Sequence, residues 1–406
     1  MKYCLIGEKL GHSFSAELHR ANGLDYSLTE LKADELGKVF RGGYDGFNVT
    51  IPYKKAVIPY LDGLDKWARE IGAVNTVLKK DGKFYGYNTD IFGIEYTFSR
   101  LGTELKNKTV MILGSGGASA TARAFAESRG AKEIITVSRT GEVNYFNCYD
   151  RVETEVLINA TPVGTYPEVY AAPVDIGRFS RLEAVVDLVY NPLSTALVLS
   201  ARERGIKCAG GLGMLVAQAV YSEKIWGYDL SEKDIEKTAN DLYRKKLNIV
   251  LYGMPSAGKT TVGIILADKL GKRFTDTDAE ILSRTGRTPA EIIEKSGEAA
   301  FRDAESKIIK ELAKESGAVI ATGGGAVLRR ENVDALKMNG VGVYIKRDLA
   351  LLNSDGRPLS LKKGLDVLFG ERKELYERAA VITALNDKKA EDCAEFIAKK
   401  FGEITL

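Results

Sequence analysis

Twice in this chain an apolar strand pattern runs straight into a glycine-rich turn and then a helix pattern. Thr109-Val110-Met111-Ile112-Leu113 leads into Gly114-Ser115-Gly116-Gly117-Ala118, and Asn248-Ile249-Val250-Leu251-Tyr252 leads into Gly253-Met254-Pro255-Ser256-Ala257-Gly258-Lys259-Thr260. A strand that turns tightly into a helix leaves backbone N–H groups free at the helix start, and that arrangement opens a parallel βαβ unit. Apolar runs alternate with helix-patterned stretches along the whole length, so the expectation is α/β architecture with mainly parallel sheets. A further unit, residues 3 to about 101, has strand patterns at 3–6, around 46–49 and at 74–78. A chain of 406 residues is long enough for two or three independent cores.

The net charge of +3 comes from 58 basic and 55 acidic residues with no long block of one sign, which argues against a nucleic-acid footprint or a membrane-binding tail. Any anionic ligand must therefore be met by local basic residues. Cys4, Cys148, Cys208 and Cys393 are far apart and form no Cys-x-x-Cys pair, so neither a disulfide framework nor a zinc site is indicated. The apolar run after Met1 is too short for a signal peptide, and no stretch reaches the ~18 apolar residues of a membrane span, so a cytoplasmic protein is expected. Both histidines, His12 and His19, lie in one segment, which leaves proton transfer to Lys, Asp, Glu or Tyr. Residues 231–244 read as a helix with Ser231 and Asp234 placed as a capping box, and only Lys245 and Lys246 separate it from the next strand. With no Gly/Ser- or Pro-rich linker there, a stiff joint is expected.

Residues 253–260 fit Gly-x-x-x-x-Gly-Lys-[Ser/Thr] between a strand and a helix, as a phosphate-cradling loop requires. In it Lys259 would reach the outer phosphates of ATP and the Thr260 hydroxyl would ligate Mg²⁺, with Pro255, Ser256, Ala257, Gly258 and Thr261 completing the cradle. Downstream, Asp276 and Asp278 stand two apart, an arrangement expected to put both carboxylates on one side of an extended segment. Then come Gly297-Glu298-Ala299-Ala300-Phe301-Arg302, Thr322-Gly323-Gly324-Gly325, Asp355-Gly356-Arg357-Pro358 and Glu371-Arg372-Lys373. Each charged residue alone is more often a solvated surface group. In this order and spacing, residues 248–406 resemble the shikimate kinase family. The resemblance implies Asp278 as the base on the acceptor hydroxyl and Asp276 acting on Mg²⁺ through water. It also implies Arg302, Arg372 and the Gly323, Gly324, Gly325 backbone as a carboxylate clamp, and Arg357 as the lid arginine meeting the transferred phosphate.

In the other half, the turn Gly114, Ser115, Gly116, Gly117, Ala118 suits a dinucleotide, and Ser138-Arg139-Thr140 follows the next strand pattern. An arginine there can pair with a 2′-phosphate, which favours NADP over NAD. The segments 11–15, 46–54, 72–76, 86–90, 159–164, 187–192 and 213–218 recur in this order in the shikimate dehydrogenase family, which residues 1–246 resemble. The resemblance implies that Ser13, Ser15, Thr50, Asn75, Tyr190 and Gln218 bind substrate and that Lys54 and Asp90 form the catalytic pair. It also places Thr161 and Gly213 with the cofactor.

What the two resemblances imply together is a two-domain dehydrogenase followed by a P-loop kinase with a parallel sheet. Residues 1–101 would bind shikimate, with helices of 214–246 returning to them; 102–213 would form a Rossmann-like NADP domain, and 247–406 the kinase. NADPH would reduce 3-dehydroshikimate to shikimate, and ATP with Mg²⁺ would phosphorylate it, with small-molecule partners, no nucleic acid or membrane, and room for a homodimer. The rival reading is an NAD-dependent quinate/shikimate dehydrogenase with a nucleotide-sensing module behind it.

Overall fold

The structure is a computed structural model and describes residues 1–11, 13–352 and 364–406. Each glycine turn follows an inner strand of a five-stranded parallel sheet. In the first of these sheets the strand order is Lys207–Ala209, Ala184–Asp187, Val156–Asn159, Thr109–Leu113, Glu133–Val137. In the second it is Arg273–Asp276, Ala318–Ala321, Asn248–Tyr252, Gly340–Lys346, Ile382–Leu385. Thr109–Leu113 and Asn248–Tyr252 are buried over their full length, as strands covered on both faces must be, and their apolar runs supply that burial. The chain reverses direction across the sheet at each of them, which opens a crevice beyond the strand's carboxyl end.

The N-terminal sheet is mixed, where mainly parallel pairing is expected from the sequence. Strand Thr76–Lys80 runs antiparallel to both Gly46–Val49 and Lys83–Tyr87. The cause is a two-residue hairpin: Asp81 and Gly82 both take positive φ, 51° and 75°, a backbone that Asp-Gly adopts readily and that folds a strand back on its neighbour. Helix Leu212–Ile225 returns to this sheet, and Trp226 Nε1 donates to the Val77 carbonyl at 3.0 Å. The same helix packs closely on helix Asp90–Leu101, where a Cβ on Gly93 would lie 2.7 Å from Met214 Cγ.

The chain divides into two compact units, Met1–Asn191 with Thr195–Leu242, and Pro192–Ser194 with Tyr243–Leu406. The boundary falls inside helix Glu232–Lys246, whose start is fixed by the Ser231 N–H and hydroxyl donating to Asp234 Oδ2 at 2.8 and 2.6 Å. In the second unit the carbonyls of Arg244, Lys245 and Leu247 at the end of this helix accept from Lys272 Nζ at 2.9 to 3.0 Å, a cation placed at the negative end of the helix dipole. Among the described residues no helix is long and apolar enough to cross a membrane.

Candidate active sites

In the first unit a cavity of ≈ 270 Å³ is lined by Ser13, Ser15, Thr50, Lys54, Asn75, Asp90, Tyr190 and Gln218, which gathers the expected substrate residues and the expected catalytic pair in one place. Their positions follow from local structure. Ser13 and Ser15 flank the start of helix Ser15–Ala21, and Ser13 Oγ accepts the Ser15 N–H at 3.2 Å. Thr50 and Lys54 lie in the turn after strand Gly46–Val49, with the Val74 N–H bonded to the Lys54 carbonyl at 2.8 Å. Asp90 opens helix Asp90–Leu101, where the helix dipole favours a carboxylate.

Lys54 Nζ lies 2.5 Å from Asp90 Oδ2, and Asn75 Nδ2 donates to Asp90 Oδ1 at 2.9 Å. Asn75 is itself held, because its Oδ1 accepts the Thr89 N–H at 2.7 Å and its Nδ2 lies 3.3 Å from Gln218 Oε1. Behind this wall Asn48 Nδ2 reaches Thr76 Oγ1 and Ser222 Oγ at 3.1 and 3.0 Å, while Tyr26 donates to Asn48 Oδ1 at 2.7 Å. Asn48, which also lines the cavity, is absent from the sequence-based set although it stands inside the 46–54 segment. Burial pushes the Tyr190 phenol upward against a weaker pull from the Ser13 hydroxyl, and its ring packs 5.3 Å from that of Phe14.

The expected cofactor turn meets this cavity through Ala118. Gly114 takes φ +107°, where a side chain would be strained and its Cβ would come within 3.1 Å of the Ala160 carbonyl oxygen. Gly116 precedes helix Gly117–Ser128 without any side-chain cap, so the first N–H groups face outward for an anion. A Cβ on Gly117 would stand 3.8 Å from Lys54 Cδ, which brings turn and lysine side by side. Ser115 lies exposed in the turn itself. Thr161 donates from N and Oγ1 to Asn159 Oδ1 at 3.0 and 2.6 Å. Gly213 is buried in the first turn of helix Leu212–Ile225, beside cavity-lining Met214 and Leu215. Ser138 is held by its N–H to the Val143 carbonyl at 3.1 Å, and Arg139 and Thr140 after it are exposed.

In the second unit Gly253 and Gly258 take φ of +150° and +90°, bending the loop around Lys259, whose Nζ donates to the Gly253 and Met254 carbonyls at 2.9 Å each. Pro255, Ser256 and Ala257 span the bend, and Lys259, Thr260 and Thr261 open helix Lys259–Leu270. Thr260 Oγ1 donates to Asp276 Oδ2 at 2.7 Å. Here the two aspartates differ from the expected extended pair. The strand Arg273–Asp276 ends at Asp276, which caps helix Thr277–Thr285 by accepting the Asp278 N–H at 2.9 Å, so Asp278 stands in a helical first turn. A hydroxyl and a carboxylate facing each other are hard oxygen donors of the kind Mg²⁺ takes. Among the described residues no group of three or more His, Cys, Asp or Glu could hold a metal ion by itself.

The second glycine turn explains its own composition. A Cβ on Gly323 would stand 2.5 Å from Glu305 Oε1 and 3.0 Å from Asp278 Oδ1, one on Gly324 would meet Pro255 Cδ at 2.9 Å, and one on Gly325 would collide with the Arg302 guanidinium. Gly297 takes φ +87° and breaks Pro289–Leu312 into two helical runs, so the run that carries Arg302 opens just after this glycine. Arg302 Nη1 donates to Glu305 Oε2 at 2.7 Å, with the two residues 7% and 0% exposed. Burial raises the Glu305 carboxyl while Arg302 pulls it down. Arg372 is buried too, and Tyr376 beside it donates its hydroxyl to the Gly324 carbonyl. Arg302 Nε, Arg372 Nε and Glu305 Oε1 are buried without a hydrogen-bond partner, so the cluster holds two unspent donors and one unspent acceptor away from the surface. Glu305 is missed by sequence reading, its one signal being the i,i+3 spacing from Arg302. Arg357 lies outside the described residues.

Known proteins divide along the same line. A family model for the shikimate dehydrogenase substrate binding domain matches residues 5–77, and one for shikimate kinase matches residues 255–401. A shikimate dehydrogenase (NADP(+)) of Clostridium perfringens is 38% identical over 264 residues, covering 59% of this chain and 96% of that protein. One of Halothermothrix orenii is 37% identical, covering 55% and 89%. Among solved structures, shikimate dehydrogenase 1 of Peptoclostridium difficile has a TM-score of 0.56 at 32% identity, covering 60% of this chain and 98% of that one. The Thermus thermophilus enzyme in complex with NADP(H) and shikimate has a TM-score of 0.53 at 30% identity, covering 59% and 98%.

Proposed function

Because the chain belongs to the shikimate dehydrogenase family and carries a shikimate kinase domain behind it, we propose that one polypeptide performs two successive steps of the shikimate pathway. It reduces 3-dehydroshikimate to shikimate with NADPH and then phosphorylates the new hydroxyl with ATP to give shikimate 3-phosphate. We take residues 1–101 with 214–246 as the substrate domain, 102–213 as the NADP domain and 247–406 as the kinase. The four cysteines are all free, which suits a reducing, cytoplasmic setting.

The reduction rests on one observation, the Lys54–Asp90 pair at 2.5 Å on the wall of a cavity lined by hydroxyl and amide groups. NADPH, when bound, supplies the hydride to the C3 ketone. Lys54 gives a proton to the oxygen that becomes negative there, and a positioned ammonium also stabilises that charge. Asp90, held by Asn75, orients Lys54. Ser13, Ser15, Thr50, Asn75, Tyr190 and Gln218 hold the carboxylate and hydroxyls of the substrate. The turn 114–118, Ser138, Arg139, Thr140, Thr161 and Gly213 hold NADPH, with Arg139 on the 2′-phosphate.

For phosphoryl transfer, positioning and charge neutralisation are most of the chemistry. Residues 255–261 cradle the phosphates with Lys259 on the outer ones, Thr260 and Asp276 serve Mg²⁺, and Arg357 meets the transferred group. Asp278 takes the hydroxyl proton. Arg302, Arg372 and the 323–325 backbone clamp the substrate carboxylate, since a guanidinium fork matches a carboxylate bidentately. The unpartnered Nε atoms of both arginines support that reading. Two separate assays test it: NADPH oxidation with 3-dehydroshikimate, and ADP release with shikimate and ATP. A folded chain inactive in either one refutes that half.

A further inference from the structure

Asp187 belongs to neither reacting pair, yet it is a carboxylate with no exposure to solvent at the end of strand Ala184–Asp187. Among the described residues its oxygens meet only neutral donors. Oδ1 accepts Asn159 Nδ2 at 2.9 Å and the Val189 N–H at 3.0 Å, and Oδ2 accepts Thr195 Oγ1 at 2.6 Å. Burial pushes its carboxyl up to about 6, only partly offset by these hydrogen bonds, and no cation is among the causes. A buried carboxyl without a counter-ion is costly, and an apolar side chain would fill the same place more cheaply.

We propose that Asp187 is a positioning residue for the reduction, fixing the cofactor-side turn and the substrate-side wall of the cavity in one arrangement. The proposal deepens the dehydrogenase reading and rests on it. On the cofactor side, an ionised carboxylate only accepts, so it dictates that Asn159 points its amide nitrogen inward. The Asn159 oxygen is thereby presented to Thr161, whose N–H and hydroxyl it receives. On the substrate side, the Val189 N–H sits between Leu188 and Tyr190, both of which line the cavity. The two arms are also tied directly, by the Leu188 N–H donating to the Asn159 carbonyl at 3.0 Å.

The work is done by acceptor geometry and not by charge. An asparagine at 187 can still accept from Asn159 and Val189 and can donate its amide to Thr195, whereas a leucine can do neither. In the full chain, Asp187→Leu is expected to raise KM for both NADPH and 3-dehydroshikimate about tenfold or more with a smaller change in kcat, the loss of roughly one hydrogen bond on each arm. Asp187→Asn is expected to restore both constants to near wild type. Wild-type constants in Asp187→Leu, or an Asp187→Asn variant as impaired as the leucine, would overturn the assignment. Should the leucine variant fail to fold, Asn159→Ala cuts the cofactor arm alone. It should raise the NADPH KM about tenfold and leave that for 3-dehydroshikimate unchanged, and equal rises in both would also overturn it. If the unaltered chain does not oxidise NADPH with 3-dehydroshikimate, the dehydrogenase reading fails instead.

Discussion

The ammonium of Lys54 and one carboxylate oxygen of Asp90 stand 2.5 Å apart, while the amide of Asn75 holds the other oxygen at 2.9 Å. The Asp90 contact takes one of the three N–H donors of the ammonium and fixes where the nitrogen stands. Lys54→Ala is expected to cut the rate of 3-dehydroshikimate reduction by about 10² to 10⁴, the range of a lost general acid. Phosphorylation of supplied shikimate should persist. Steady-state assays of both activities check this, and a reduction rate within a few-fold of wild type would remove Lys54 from the mechanism.

Arg139 stands exposed at the end of the second strand of the cofactor sheet. Only NADPH has a 2′-phosphate for it to hold. Arg139→Ala should therefore raise the NADPH KM by about ten- to a hundredfold, the worth of a hydrogen bond to a charged partner. NADH use should hardly change. Equal losses with the two cofactors would contradict the assignment of Arg139.

Arg302 is braced by Glu305 and lies against Gly325, and Arg372 is buried with its Nε unpartnered. If both grip the substrate carboxylate, Arg302→Ala and Arg372→Ala should each raise the shikimate KM about ten- to a hundredfold with ATP affinity nearly intact. Kinetics at varied shikimate and calorimetry with ATP separate the two effects. An unchanged shikimate KM in both variants would mean that the carboxylate sits elsewhere.

Asp187 also makes a prediction about pH. Burial raises its carboxyl from the ordinary 3.8 to about 6, so the folded chain binds that proton more tightly than the unfolded chain does. Its contribution to stability is therefore full below about pH 4, declines as pH rises through about 6, and is flat above that. The gap between the two values corresponds to about 3 kcal/mol. Asp187→Asn keeps the acceptor pattern and should flatten this slope, so the variant gains on the wild type between pH 4 and 7. Urea unfolding of both proteins across that range checks it. Parallel stability curves would show that Asp187 ionises in the folded chain at its ordinary value.

Much of this is legible from the sequence, for a definite reason. Gly114, Gly253 and Gly258 sit at positive φ and Gly323 to Gly325 sit where a Cβ would strike a neighbour, so backbone geometry writes itself into residue type. The Asp276 and Asp278 geometry is not legible, because two-residue spacing is read as a strand until a helix cap intervenes. Glu305, Asn48 and Ser222 escape for another reason. Their roles depend on which face of a helix or strand meets a distant element, and local pattern does not say which polar residue lies on that face.

We propose that one chain makes and then consumes the same hydroxyl. It is tested most directly by incubating the purified chain with 3-dehydroshikimate, NADPH, ATP and Mg²⁺ and following NADPH oxidation and ADP release in one reaction. NADPH oxidation followed by an equal amount of ADP, with shikimate 3-phosphate as the product, is the expected result. NADPH consumed while shikimate accumulates and no ADP appears would contradict the claim.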